Sequence, residues 1–131
     1  MEVKILLDTS AYSGFRTGVP AVVKKIHDSD LVLVSPVVLG ELMYGFRNGS
    51  KFTRNTELLG RFLENDAVEV IPIGEVTADR YSRIVLQLRK EGKPVPSNDI
   101  WIAAQAMEHG ADLLTSDRHF EKISGLVCTT F

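Results

Sequence analysis

The chain has 131 residues, 44% of them apolar and 24% charged, the balance of an ordinary soluble domain. This length fits a single domain spanning 1–131, with folding able to bury roughly two-thirds of the unfolded surface. Fifteen basic against seventeen acidic residues give a net charge of −2, which excludes a global positive field for polyanions, and a lone cysteine, Cys128, excludes an internal disulfide.

Taken in chain order, Val3 to Leu7 is a compact aliphatic run ending at Asp8 and predicts a first strand. The start of the chain lacks the long apolar stretch of a secretory signal. The most apolar window, Leu31 to Leu39, is broken by Ser35 and Pro36. No membrane span is therefore expected, and a cytoplasmic location is. Pro20 suits the first turn of a helix carrying Val22, Val23 and Ile26. Leu31 to Val34 reads as a second strand, and Ser35-Pro36 as the cap and first turn of a helix over Val37 to Phe46. Thr53 is the expected cap of a helix whose inner face holds Leu58, Leu59, Phe62 and Leu63. Val68 to Ile73 is a third strand. From Glu75 to Glu91, Tyr81, Ile84, Val85 and Leu88 recur at helical spacing, with Arg80, Arg83, Gln87 and Lys90 opposite. Ser97-Asn98-Asp99 opens another helix, which Gly110 closes. Ala111 to Thr115 is a fourth strand, a short helix follows Asp117, and Leu126 to Thr129 is a last strand. Short apolar strands alternating with helices predict a mostly parallel sheet of four to five strands, covered on both faces. In such sheets the site lies beyond the carboxyl ends of the strands.

Four carboxylates stand apart from the solvated acidic residues. Asp8 follows the first strand, where an aspartate can cap a turn or a helix. Glu41 is the only charge from Pro36 to Phe46, so it either reaches solvent at the helix edge or meets a cation. Asp99 sits in the first turn of its helix, where capping is an alternative that Ser97 and Asn98 could also supply. Asp117 follows the fourth strand and could cap the short helix after it. As a set they belong at one crevice, where repulsion is relieved by a divalent cation. Oxygen ligands favour Mg²⁺ or Mn²⁺, which can activate water against a phosphodiester.

These residues resemble the PIN-domain ribonucleases, and among them the VapC toxins of toxin–antitoxin pairs. The likeness runs through Leu6-Leu7-Asp8-Thr9-Ser10 and Val37-Val38-Leu39-Gly40-Glu41-Leu42. It continues in Pro96-Ser97-Asn98-Asp99-Ile100-Trp101-Ile102-Ala103-Ala104, then Gly110-Ala111, then Leu114-Thr115-Ser116-Asp117-Arg118-His119-Phe120. The resemblance implies a PIN-like three-layer α/β/α fold. It implies an acidic site of Asp8, Glu41, Asp99 and Asp117, with Asp8 and Asp99 as direct metal ligands. Thr115, Thr9, Ser10 and Asn98 would orient them or their water, and Arg118 and His119 are candidates to touch RNA. It further implies an RNA substrate, a co-encoded antitoxin over the active-site groove, and a homodimer.

The expected activity is endonucleolytic hydrolysis by metal-activated water, leaving a 5′-phosphate. The alternatives are a non-catalytic cation- and RNA-binding module on the same fold and a housekeeping RNA-processing nuclease without an antitoxin. A haloacid-dehalogenase-type phosphatase would need a second aspartate where Ser10 stands, and a receiver domain would need an acidic residue where Leu7 stands. Trp101, Tyr44, Phe46, Phe52 and Phe62 are read as packing, dimer or antitoxin contacts before RNA contacts, and His27 and His109 as ordinary helix-end residues.

Overall fold

A computed structural model describes residues 2–131. Its five strands are β1 (Lys4–Leu7), β2 (Leu31–Val34), β3 (Val68–Val70), β4 (Asp112–Thr115) and β5 (Cys128–Thr130). They form one sheet in the order β3-β2-β1-β4-β5, and every pairing is parallel. The helices are α1 (Thr9–Arg16), α2 (Pro20–His27), α3 (Pro36–Arg47), α4 (Phe52–Leu63), α5 (Glu75–Glu91) and α6 (Ser97–His109), with a 3₁₀ turn at Arg118–Lys122. Right-handed crossovers put α1 to α4 on one face, because β1, β2 and β3 step in one direction. The return from β3 to β4 puts α5 and α6 on the other. The result is the expected three-layer α/β/α arrangement.

The central strands carry the core. Ile5, Leu6, Leu7, Val32, Leu33, Val34, Leu113 and Leu114 are all buried, which explains why these runs are apolar without alternation. Each such side chain contributes roughly 1.5–3 kcal/mol by leaving water. Phe62 of α4 is buried against α1, edge-on to Tyr12 with ring centroids 5.3 Å apart and 5.2 Å from Phe15. On the other face Tyr81 of α5 stacks on Trp101 of α6 at 4.0 Å, so the tryptophan is packing. His27 and His109 are the last residues of α2 and α6. Among the described residues no helix is long and apolar enough to cross a membrane.

Several boundaries differ from expectation, each for a local reason. Helix α1 was not anticipated; it starts directly from Asp8, whose side chain caps it by accepting from Ala11 N–H. Thr53 does not cap α4: the cap position falls two residues earlier, at Lys51, with no side-chain capping bond, and Thr53 lies inside the helix. Strand β3 ends at Val70, shortly before Pro72, which has no N–H to donate to a ladder. Ala111 closes the capping turn after α6, donating to Ala106 O at 2.9 Å past the left-handed Gly110, so β4 starts at Asp112. The last strand is displaced to Cys128–Thr130 behind the turn at Gly125, whose φ is +81°. On α5, the half-buried Gln87 amide donates to Lys122 O and accepts from Ser124 N–H, tying the helix to the end of the 3₁₀ turn and the segment after it.

Candidate active site

Strand register sets the height of the site. Leu7 pairs with Val34 on one side and Leu114 on the other. The next residues of the three strands, Asp8, Ser35 and Thr115, therefore emerge level with one another at the carboxyl ends. The chain order reverses at β1, with β2 and β3 to one side and β4 and β5 to the other. Crossover helices diverge at such a switch point and leave a crevice. Here it is an open cleft of about 580 Å³ lined by Asp8, Thr9, Ser10, Glu41, Asp99, Ile102, Ser116, Asp117 and Arg118.

Asp8 lies deepest, 5% exposed. Its Oδ1 accepts from Ala11 N–H at 2.8 Å and from Ser10 Oγ at 2.6 Å, and its Oδ2 accepts from Thr115 Oγ1. Burial pushes its pKa above the ordinary carboxylate value; the Ser10, Thr115 and Ala11 hydrogen bonds oppose that, and Asp117 adds to it. Both hydroxyls are bound twice. Ser10 Oγ also accepts from Ser116 N–H at 3.0 Å, and Thr115 Oγ1 from Asp117 N–H at 2.9 Å. Two side chains thus fasten the loop after β4 to the carboxylate after β1.

Glu41 reaches the cleft from α3, whose first turn is set by Ser35, the fully buried cap that accepts from Val37 N–H at 3.1 Å. Thr9 Oγ1 donates to Glu41 Oε1 at 2.7 Å, and Asn98 Nδ2 approaches Oε2 at 3.5 Å. Asp99 comes from the first turn of α6. Capping does not occupy it: Pro96 holds the cap position, and no side-chain capping bond forms there. Its pKa is pushed up to about 6, first by burial, then by Asp117, Glu41 and Asp8, with His119 opposing. Asp117 does cap its 3₁₀ turn, accepting from His119 N–H at 2.9 Å, and lines the cleft as well.

All four carboxylates expected from sequence therefore line one cleft, together with Thr9, Ser10 and Arg118, while Thr115 and Asn98 hold carboxylates in place. Arg118 is 79% exposed and turned toward Glu121 at 3.5 Å. His119, a candidate RNA contact from sequence, has Nδ1 3.0 Å from Asp117 Oδ1. One ligand atom each from Asp99, Asp117 and His119 lie within 4.8 Å of one another. That trio was not legible as a group in the sequence. Among the described residues no lysine or arginine forms a salt bridge with any of the four carboxylates. Concentrated acidic oxygen without a lysine or arginine partner is the donor chemistry of a hard divalent cation, so the residues fit a metal ion.

The PIN domain profile matches residues 5–126. Ribonuclease VapC1 of Rickettsia felis is 29% identical over 129 residues, covering 96% of this chain and 95% of that protein. Ribonuclease VapC4 of Mycobacterium tuberculosis is 34% identical over 87 residues, covering 66% and 67%. The solved structure of VapBC2 from Rickettsia felis bound to a DNA fragment from their promoter superposes with a TM-score of 0.86 at 23% identity, covering 98% of this chain and 99% of that one. With the profile spanning nearly the whole chain, and the all-parallel sheet carrying its acidic cleft at the switch point, this chain belongs to the PIN-domain family.

Proposed function

We propose that the chain is a metal-dependent endoribonuclease of a single domain, and the toxin of a type II toxin–antitoxin pair. One observation carries the chemistry: carboxylates from four separate segments converge on one cleft, and among the described residues no lysine or arginine is paired to them. The ribonuclease names of the relatives support RNA as the substrate. Asp8, Asp99 and Asp117 would hold Mg²⁺ or Mn²⁺, with Glu41 completing the site. When bound, such an ion lowers the pKa of water and neutralises charge developing on a phosphodiester.

The chain's own residues do the positioning. Thr115 and Ser10 fix the Asp8 carboxylate in one orientation and so pre-organise the deepest part of the cleft. Thr9 and Asn98 aim Glu41 across it. Arg118, exposed at the rim, would meet the RNA backbone. Beside Glu41 a second groove runs along Pro36, Val37, Gly40, Tyr44 and Asn98, with Tyr44 70% exposed. In this reading the antitoxin lies there and covers the cleft, and the toxin works as a homodimer.

The test is cleavage of a mixed RNA pool with Mg²⁺, Mn²⁺ or chelator, alongside Asp8→Asn. The expected result is cutting that requires the ion and the aspartate, leaving 5′-phosphate and 3′-hydroxyl ends. Ends bearing a 2′,3′-cyclic phosphate, or cutting that survives both chelator and substitution, would overturn the assignment. Ion binding without cutting of any RNA would favour a binding module instead.

A further inference from the structure

We infer that His119 is a nitrogen ligand of the divalent ion, so that the centre is a mixed carboxylate–imidazole site that favours transition ions over Mg²⁺. The inference rests on the metal-site reading above and adds to it the identity of one ligand and the selectivity that follows.

The local fold holds the imidazole at the acids. Phe120, 1% exposed, anchors the 3₁₀ turn in the core, and Ile123 N–H closes the turn on Phe120 O at 3.1 Å. The His119 N–H is tied to Asp117 Oδ1 at 2.9 Å. With its backbone fixed on both sides, the ring meets Asp117 through its edge, with Nδ1 3.0 Å from Oδ1 and 3.3 Å from Oδ2. Two neighbouring ligands on an octahedral ion with bonds of about 2.1 Å sit about 3 Å apart, and opposite ligands about 4.2 Å. The nitrogen–oxygen spacing at Asp117 matches the first figure. The 4.8 Å envelope that also contains Asp99 needs only a small contraction to match the second. A proton shared between Nδ1 and Asp117 and a cation bound by both satisfy the same geometry.

Arg118, next in the chain, points to Glu121 and is the side chain left for substrate. The other two histidines lie at the far end of the sheet: His109 closes α6, roughly 15 Å along the helix from Asp99 at 1.5 Å per residue, and His27 closes α2 shortly before β2 begins. Imidazole raises affinity for transition ions, whereas Mg²⁺ prefers carboxylate and water.

The experiment is electron spin-echo envelope modulation on the full chain loaded with Mn²⁺, with Mn²⁺ and Mg²⁺ affinities measured in parallel. The wild type should show ¹⁴N modulation from a coordinated imidazole. His119→Ala should lose it, while His109→Ala keeps it. His119→Ala should also weaken Mn²⁺ about tenfold and Mg²⁺ by less than about twofold. The half-exposed side chain makes this variant safe for folding, which equal melting temperatures in chelator would verify. If Mn²⁺ binds without ¹⁴N modulation while Asp99→Asn still abolishes binding, the acidic site stands and His119 is not its ligand. If Mn²⁺ fails to bind, or binds Asp99→Asn as tightly as wild type, the metal site itself falls, and this inference with it.

Discussion

Asp99→Asn removes a charge that the fold holds against burial and against three other carboxylates. The carboxyl is raised from 3.8 to about 6, so the folded protein binds its proton more tightly than the unfolded chain does. Stability from that proton is complete below about pH 4 and is lost as the pH climbs through about 6. Above neutrality the wild type bears the whole cost; asparagine, which cannot ionise, bears none. The full gap corresponds to about 3 kcal/mol, and solvent screening in an open cleft reduces it to about 1–2 kcal/mol. At roughly 2.1 cal/mol/K of unfolding entropy per residue, that is about 4–7 °C of melting temperature for a chain of this length. Scanning calorimetry in chelator should find Asp99→Asn the more stable protein at about pH 7.5, with the difference narrowing at about pH 5. Saturating Mn²⁺ should reverse the order, because an ion at a hundred times its Kd adds about 2.7 kcal/mol to the protein that binds it. A variant that melts at or below the wild type in chelator near neutrality, or a gap that widens toward pH 5, would refute the electrostatic account of the cleft.

Thr115→Val leaves the buried Asp8 carboxylate and the Asp117 N–H each short of a partner, so it should cost about 1–3 kcal/mol and slow RNA cleavage about 10–100-fold. Thr115→Ser keeps the hydroxyl and should recover most of the rate; equal loss in both would mean that shape, not the hydrogen bonds, matters there. Gly110→Ala places a side chain at φ +62° and should destabilise by about 1–2 kcal/mol without changing metal affinity, checked by denaturant unfolding and calorimetry. Phe62→Ala should cost about 3–5 kcal/mol, since its ring is buried against Tyr12 and Phe15. Tyr44→Ala, at a side chain 70% exposed, should leave stability within about 0.5 kcal/mol and weaken antitoxin binding; unchanged affinity for the antitoxin would remove that groove from the interface.

What the sequence by itself determined follows from short-range physics. Short continuous aliphatic runs suit strands covered on both faces, as β1, β2 and β4 are, and the spacing of Tyr81, Ile84, Val85 and Leu88 suits one side of a helix. Ser35 opened one helix and Gly110 closed another through their own chemistry. The four carboxylates were legible because Asp8, Glu41 and Asp99 each stand nearly alone among apolar or neutral neighbours, because Asp117 directly follows a strand, and because strand ends and the helix starts that follow them share one side of a parallel sheet. Helix α1 escaped notice because Thr-Ser-Ala-Tyr-Ser-Gly-Phe-Arg has little intrinsic helix preference; packing of Ala11, Tyr12 and Gly14 and the Asp8 cap hold it. Only the tertiary structure decided how the acids are held. Thr115 meets Asp8 across 107 residues, Asn98 meets Glu41 across 57, and neither distance leaves a periodic trace in the chain. His119 read as a candidate RNA contact because it sits beside Asp117. Its orientation was set by Phe120, which had to be buried, and by the turn that burial imposed. Local sequence encodes which residues carry charge and where strands stop; strand register and the packing of one turn decide which of those charges meet.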